Sequence, residues 1–169
     1  TFEGQIFNFS HDNVMEFSPV GRVQYIAGCD PGFRDPTAFI VIAYDEMLDL
    51  FHVVDEYLEA ESVTSVHAAA FRKFIDKWDI ELVYVDSAAA QFSADLAYEY
   101  DIACTNAKKA VLPGIAYVSN VVECGRLRVS PHCSHTLAAL DQYRWDNKEG
   151  LVREKPVHDA YSHMADALR

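Results

Sequence analysis

Hydrophobic residues along the chain follow one spacing up to about residue 60 and another after it. VQYIAGCD, from Val23, is a dense apolar run that stops at Asp30 and predicts a buried strand. DPGFRDP follows as a turn-rich loop, with Gly32 available for positive φ. TAFIVIAY, rich in β-branched and aromatic residues, predicts a second strand. DEM turns the chain, and DLFHVVDEYLE predicts a third. Connections this short force an antiparallel meander, because a parallel crossover needs roughly a dozen residues. The period then changes. SVTSVHAAAFRKFIDKW sets Val63, Val66, Ala70, Phe74 and Ile75 at helical spacing, with Ser62 as a candidate N-cap.

ELVYVDS is a short apolar strand ending at Asp86, and the intervening helix predicts that it lies parallel to the first strand. AQFSADLAYEY predicts a helix and IACT a fifth strand. Residues 111–124 read as a helix after Pro113 and Gly114, stopped by Gly125, with RLRVS a short extended piece. SHTLAALDQYRW predicts a helix starting near Ser134. DNKEG is a hairpin turn before LVREKP, and HDAYSHMADALR a terminal helix. Residues 1–20 read as a connecting arm, in which GQIFNF alternates like a short strand before Ser18, Pro19 and Gly21 break it. The expected organisation is an arm over 1–20 and one α/β domain over 21–169. Its expected core is a mixed five-stranded sheet with helices on both faces, the first three strands forming the meander.

The length of 169 residues suits one domain, and a Thr at position 1 suggests a piece of a longer chain. No apolar run reaches the ~20 residues of a membrane helix, so no membrane partner is expected. The net charge of −12 argues against nucleic acid held by the average field. Carboxylates gathered around divalent cations reverse the local sign and escape that argument. Cys29, Cys104, Cys124 and Cys133 form no CxxC pair and read as reduced thiols. His132, Cys133 and His135 match no zinc template.

The candidate chemistry lies in three aspartates. Asp30 and Asp86 end two strands expected to be parallel neighbours, and Asp166 lies on the last helix. A helix across the C-terminal edge of the sheet would bring all three together. Taken singly, each has a structural reading: a turn former at Asp30, an N-cap at Asp86, a solvated helix residue at Asp166. Three carboxylates at one point repel one another, and two Mg²⁺ or Mn²⁺ ions remove that conflict and support phosphodiester hydrolysis. His163 is three residues before Asp166, and Asp159 four before His163, on one helix face. His163 suits a ligand or proton-transfer role, and Asp159 a further ligand or a partner of His163.

These stretches resemble the C-terminal nuclease domain of the large terminase subunit of tailed bacteriophages. YIAGCDPGFRDPTAFIVIA is similar to that family's first strand, acid and turn, LVYVDSAAAQ to its second acidic strand end, and HDAYSHMADALR to its terminal helix. Between them, NAKKAVLPGIAYVSNVVECGRLRVSPHCSHTLAALDQYRW is similar to its Lys-rich turn, helix, strand and Tyr-x-Trp ending. The resemblance implies a ribonuclease-H-like fold and a metal-dependent endonuclease cutting concatemeric double-stranded viral DNA. It implies a triad of Asp30, Asp86 and Asp166 with His163 beside it; the middle acid, Glu in many members, is Asp here. It also implies as partners an N-terminal ATPase domain of the same subunit, a small terminase subunit and a portal protein, and it implies that this protein works in the host cytoplasm as transient packaging machinery and is not kept in the virion. No Walker motif is present, so ATP-driven translocation is not expected of these residues.

Candidate DNA contacts are Lys108 and Lys109, Arg34 beside the site, Arg126 and Arg128 on one strand face, and Arg153 and Lys155 near the hairpin. Phe33 is a candidate for the site rim, although turn aromatics usually pack locally. Three other readings compete. A Holliday-junction resolvase or another ribonuclease-H-like nuclease would use similar acids. An actin-like phosphotransferase would need a second domain. A docking module would use the carboxylates only as caps, and Asp30→Asn would leave its function intact.

Overall fold

The computed structural model describes residues 7–19, 21–107, 111–142, 145–148 and 151–156, with side chains in 7–19, 21–107 and 116–142. A six-stranded mixed sheet forms the centre, in the order β5-β4-β1-β2-β3-β6. β1 (Val23–Asp30), β2 (Thr37–Asp45) and β3 (Leu50–Glu59) form the antiparallel meander. β4 (Leu82–Asp86) is parallel to β1, and β5 (Thr105–Ala107) is parallel to β4. The sheet has one strand more than the sequence predicts: β6 (Leu127–Val129) pairs in parallel with the first half of β3. Three residues carry no readable period, but Leu127 and Val129 are buried on one face and extend the core. The fifth strand also begins later than expected. Ile102 is buried before it, and the pairing starts at Thr105.

Helices cover both faces. α1 (Thr64–Trp78) and α2 (Ala90–Tyr100) pack on one side through Ala68, Phe71 and Leu96, against Phe39, Val41, Val83 and Val85. α3 (Val111–Glu123) and α4 (Ser134–Gln142) pack on the other, against Ile40, Val53, Leu127 and Val129. β2 is buried along almost its whole length because both layers press on it. β7 (Trp145–Lys148) and β8 (Leu151–Pro156) form a separate antiparallel hairpin, and Arg153 and Lys155 fall on β8.

Three local readings change. α1 buries His67, Ala68 and Phe71, whereas Val63 and Val66 are 58% and 49% exposed. The core stripe is therefore rotated from the one the apolar residues suggest. The reason is His67, which is accepted inside by a 2.8 Å hydrogen bond between its Nδ1 and the Tyr57 hydroxyl. The N-cap of α1 is Val63, and Ser62 donates to the Ala60 carbonyl instead. Residues 7–19 form no strand at Phe7–Phe9, yet Phe7 and Phe9 are buried in the α3/α4 core, and Phe17 packs edge-on to His52 and Trp78.

Candidate active site

β1 and β4 both point their C-terminal ends at one edge of the sheet. Cys29 lies opposite Val85, so the next position in the register sets Asp30 beside Asp86. Neighbouring strands are about 4.8 Å apart. The outer neighbours of this pair are small: Ala38 faces Asp30 on β2, and Ala107 faces Asp86 on β5. Two carboxylates therefore share one strand-end edge, where sites in such sheets lie. Glu59 ends β3 at the same edge, opposite Thr37. Among the described residues no group of three His, Cys, Asp or Glu side chains converges on one point. Asp166, His163 and Asp159 lie outside the described residues, as do Lys108 and Lys109, which follow Ala107 directly.

The local structure fixes both acids. Asp86 Oδ1 accepts the Ala88 N–H at 3.0 Å and caps the 3-10 turn that leads into α2. The capping reading of Asp86 and its place at the edge thus hold together. The loop after Asp30 is closed by Thr37, which is fully buried. Its Oγ1 accepts the Gly32 N–H at 3.0 Å and donates to the Gly32 carbonyl at 2.8 Å. A Cβ on Gly32 would stand 2.6 Å from the Asp35 carbonyl oxygen. Close approach, not positive φ, is what requires glycine there. The sequence signals the loop but not this pair of bonds, because the Thr reads only as the start of a strand.

Cys29 precedes Asp30 and is buried. Burial raises its thiol well above the usual range, and the Asp30 charge adds to the effect. It stays protonated and offers no thiolate. The donors on this edge are carboxylate oxygens, which suit a hard divalent cation.

The cations sort differently. Arg34 is exposed on the loop after Asp30. Arg126 is at the opposite end of the sheet: Phe51 donates to its carbonyl at 2.8 Å, and Phe51 lies level with Tyr44 and Gln24. Gln24 is six positions before Asp30, roughly 20 Å at strand spacing. There the Arg126 guanidinium pairs with Asp49 and donates to Asn120 Oδ1 at 3.1 Å. Arg128 lies mid-strand opposite His52, and its buried Nε has no hydrogen-bond partner among the described residues. Neither arginine is brought to the Asp30–Asp86 edge. Of the residues weighed for zinc, His132 shares a 2.9 Å bond with the Val54 carbonyl and Cys133 is buried.

A mixed sheet of this order, with acids on the ends of its first and fourth strands, defines a ribonuclease-H-like domain. The terminase RNase H-like domain family matches residues 27–169, and the chain belongs to that family. It is 43% identical to the large terminase subunit of Escherichia phage T5 over 99% of its length, and it spans 41% of that protein. It is similar to the large terminase of a thermophilic bacteriophage, at 27% identity and a TM-score of 0.83, covering 97% of this chain and 42% of that one. It shares its fold with the nuclease domain of the SPP1 large terminase, solved with bound Mn, at 20% identity and a TM-score of 0.70, over 86% of this chain and 82% of that one.

Proposed function

We propose that this domain cuts double-stranded DNA by metal-dependent phosphodiester hydrolysis, as the nuclease part of a viral packaging terminase acting on concatemers. The observation that carries the reading is the register that sets Asp30 beside Asp86 at the C-terminal edge of two parallel strands. Membership of the terminase family supports it. So does the bound Mn in the SPP1 relative. Asp30, Asp86 and Asp166 hold two Mg²⁺ or Mn²⁺ ions, with His163 beside them and Asp159 as a further ligand or its partner. Bound there, the ions supply Lewis-acid stabilisation of the developing charge and a more acidic attacking water.

The remaining steps belong to the chain. Asp86, fixed by the Ala88 N–H, keeps one carboxylate in a set orientation. Asp30 is held by its strand on one side and the Thr37-closed loop on the other. His163 takes up or releases the proton of the water. Arg34, Lys108 and Lys109 contact phosphates and offset the overall negative charge. The partners in this reading are an N-terminal ATPase domain of the same subunit, a small terminase subunit and a portal protein, in the host cytoplasm.

Supercoiled plasmid incubated with the purified chain tests this directly. Nicking and linearisation are expected with Mn²⁺, not with EDTA, and not with Asp30→Asn. Cutting that survives EDTA or the substitution would overturn the reading.

A further inference from the structure

Phe33 is three residues after Asp30, and its side chain is 58% exposed. At most about 10 Å of extended chain separates the two. The ring is not carried on a loose loop. Gly32 is bound twice to buried Thr37, and the Glu61 N–H donates to the Phe33 carbonyl at 2.6 Å. Pro31 and Pro36 limit the backbone on either side. Arg34, also exposed, follows it. A solvent-facing aromatic carried on a backbone tied at both Gly32 and Phe33 has little backbone ordering left to lose on contact with a ligand.

We propose that Phe33 is a DNA-contact residue, packing its ring on a sugar or base beside the scissile phosphate and so seating the duplex over Asp30 and Asp86. This deepens the nuclease reading and rests on it. The net charge of −12 makes such a contact useful. Long-range attraction is unavailable to an acidic domain, so affinity must come from short-range contacts at the site. Aromatic packing on a base or sugar tolerates any sequence and needs no positive charge. Apolar side chains wedge into minor-groove steps in the same way. Arg34 supplies one phosphate contact alongside the ring.

The test is duplex binding by fluorescence anisotropy in Ca²⁺, run beside plasmid cutting in Mn²⁺, for wild type, Phe33→Ala, Phe33→Trp, Arg34→Ala and Asp30→Asn. Phe33→Ala should weaken binding about tenfold without changing its salt dependence or the unfolding temperature. Phe33→Trp should restore it. Arg34→Ala should lower the salt slope by about one. Asp30→Asn should bind but not cut. If wild type binds through Phe33 yet never cuts, the nuclease reading fails and the contact stands. If wild type shows no measurable binding, or Phe33→Ala binds and cuts like wild type, the contact is wrong.

Discussion

The two ends of the central sheet use aspartate in opposite ways. At the end holding the β2–β3 turn, Asp49 sits at φ 48°, accepts the Tyr44 hydroxyl at 2.8 Å and pairs with Arg126. Its charge is neutralised by a cation of the same fold, and the result is a closed turn. At the other end, Asp30 and Asp86 stand on neighbouring strands with alanines on their outer sides. Two carboxylates are set on adjacent strand ends, at the edge where sites in such sheets lie. The contrast is between a carboxylate closed into a turn and a pair of carboxylates on one strand-end edge, of which Asp86 also caps the turn into α2.

The sharpest way to break the contrast is at Asp86, which both caps a turn and stands at the edge. Asn caps about as well as Asp, whereas Ala does not cap. Asp86→Asn should therefore lower plasmid cutting more than about a hundredfold, since even partners one step removed from a metal are worth 10–100-fold. Its unfolding midpoint should match wild type. Asp86→Ala should lose the same activity and a further ~1 kcal/mol of stability. Equal cutting by Asp86→Asn and wild type would reduce Asp86 to a cap.

The half of the sheet away from the carboxylates should supply a measurable part of the pH response of stability, beside that of buried His67, whose pKa burial also lowers. His52 is buried opposite Arg128, shares a 3.0 Å bond with Ser130 Oγ, and packs under Phe17. Burial, more than the nearby positive charge of Arg128, lowers its pKa from 6.5 to about 4. Between those values the unfolded chain binds the extra proton and the folded chain does not. The stability is complete above pH 6.5 and is lost as the pH falls toward 4, by up to ~3 kcal/mol. Urea unfolding across that range should show this slope, and His52→Gln should reduce it, leaving the part due to His67. An unchanged slope would assign acid sensitivity elsewhere.

What could be read from the sequence was the part written in long, single-period runs. VQYIAGCD and ELVYVD each end abruptly at an acid, and a helix-length segment between them dictates parallel neighbours, so β1 and β4 were legible. β6 was not, because three residues belong to the sheet only through their pairing with β3. The face of α1 was misread because its buried stripe contains a histidine that only Tyr57 makes acceptable. Phe7 and Phe9 looked like an alternating strand, yet they serve as two anchors in the core. Arg126 and Arg128 alternate as expected, but alternation states a face and not an end of the sheet. Their distance from Asp30 depends on β6 pairing with the start of β3.

Arg126 offers the smallest effect and the cleanest control on the comparison. Its guanidinium is partly exposed, with 24% of the side-chain surface accessible, against 54% for Asp49. Such a pair contributes up to about 1 kcal/mol, less at high salt. Arg126→Ala should therefore lower the unfolding midpoint slightly and leave the Asp49 turn in place through Tyr44. At roughly 20 Å from the carboxylate edge by strand spacing, its removal should change neither duplex affinity nor the salt slope of binding. Arg34→Ala, on the loop after Asp30, should do the reverse: no change in midpoint and a lower slope. Measured side by side, the two substitutions test whether DNA meets one end of the sheet or runs along its length. A lower salt slope in Arg126→Ala would mean that the duplex reaches the turn end as well, and that Asp49 gives up its partner when DNA binds.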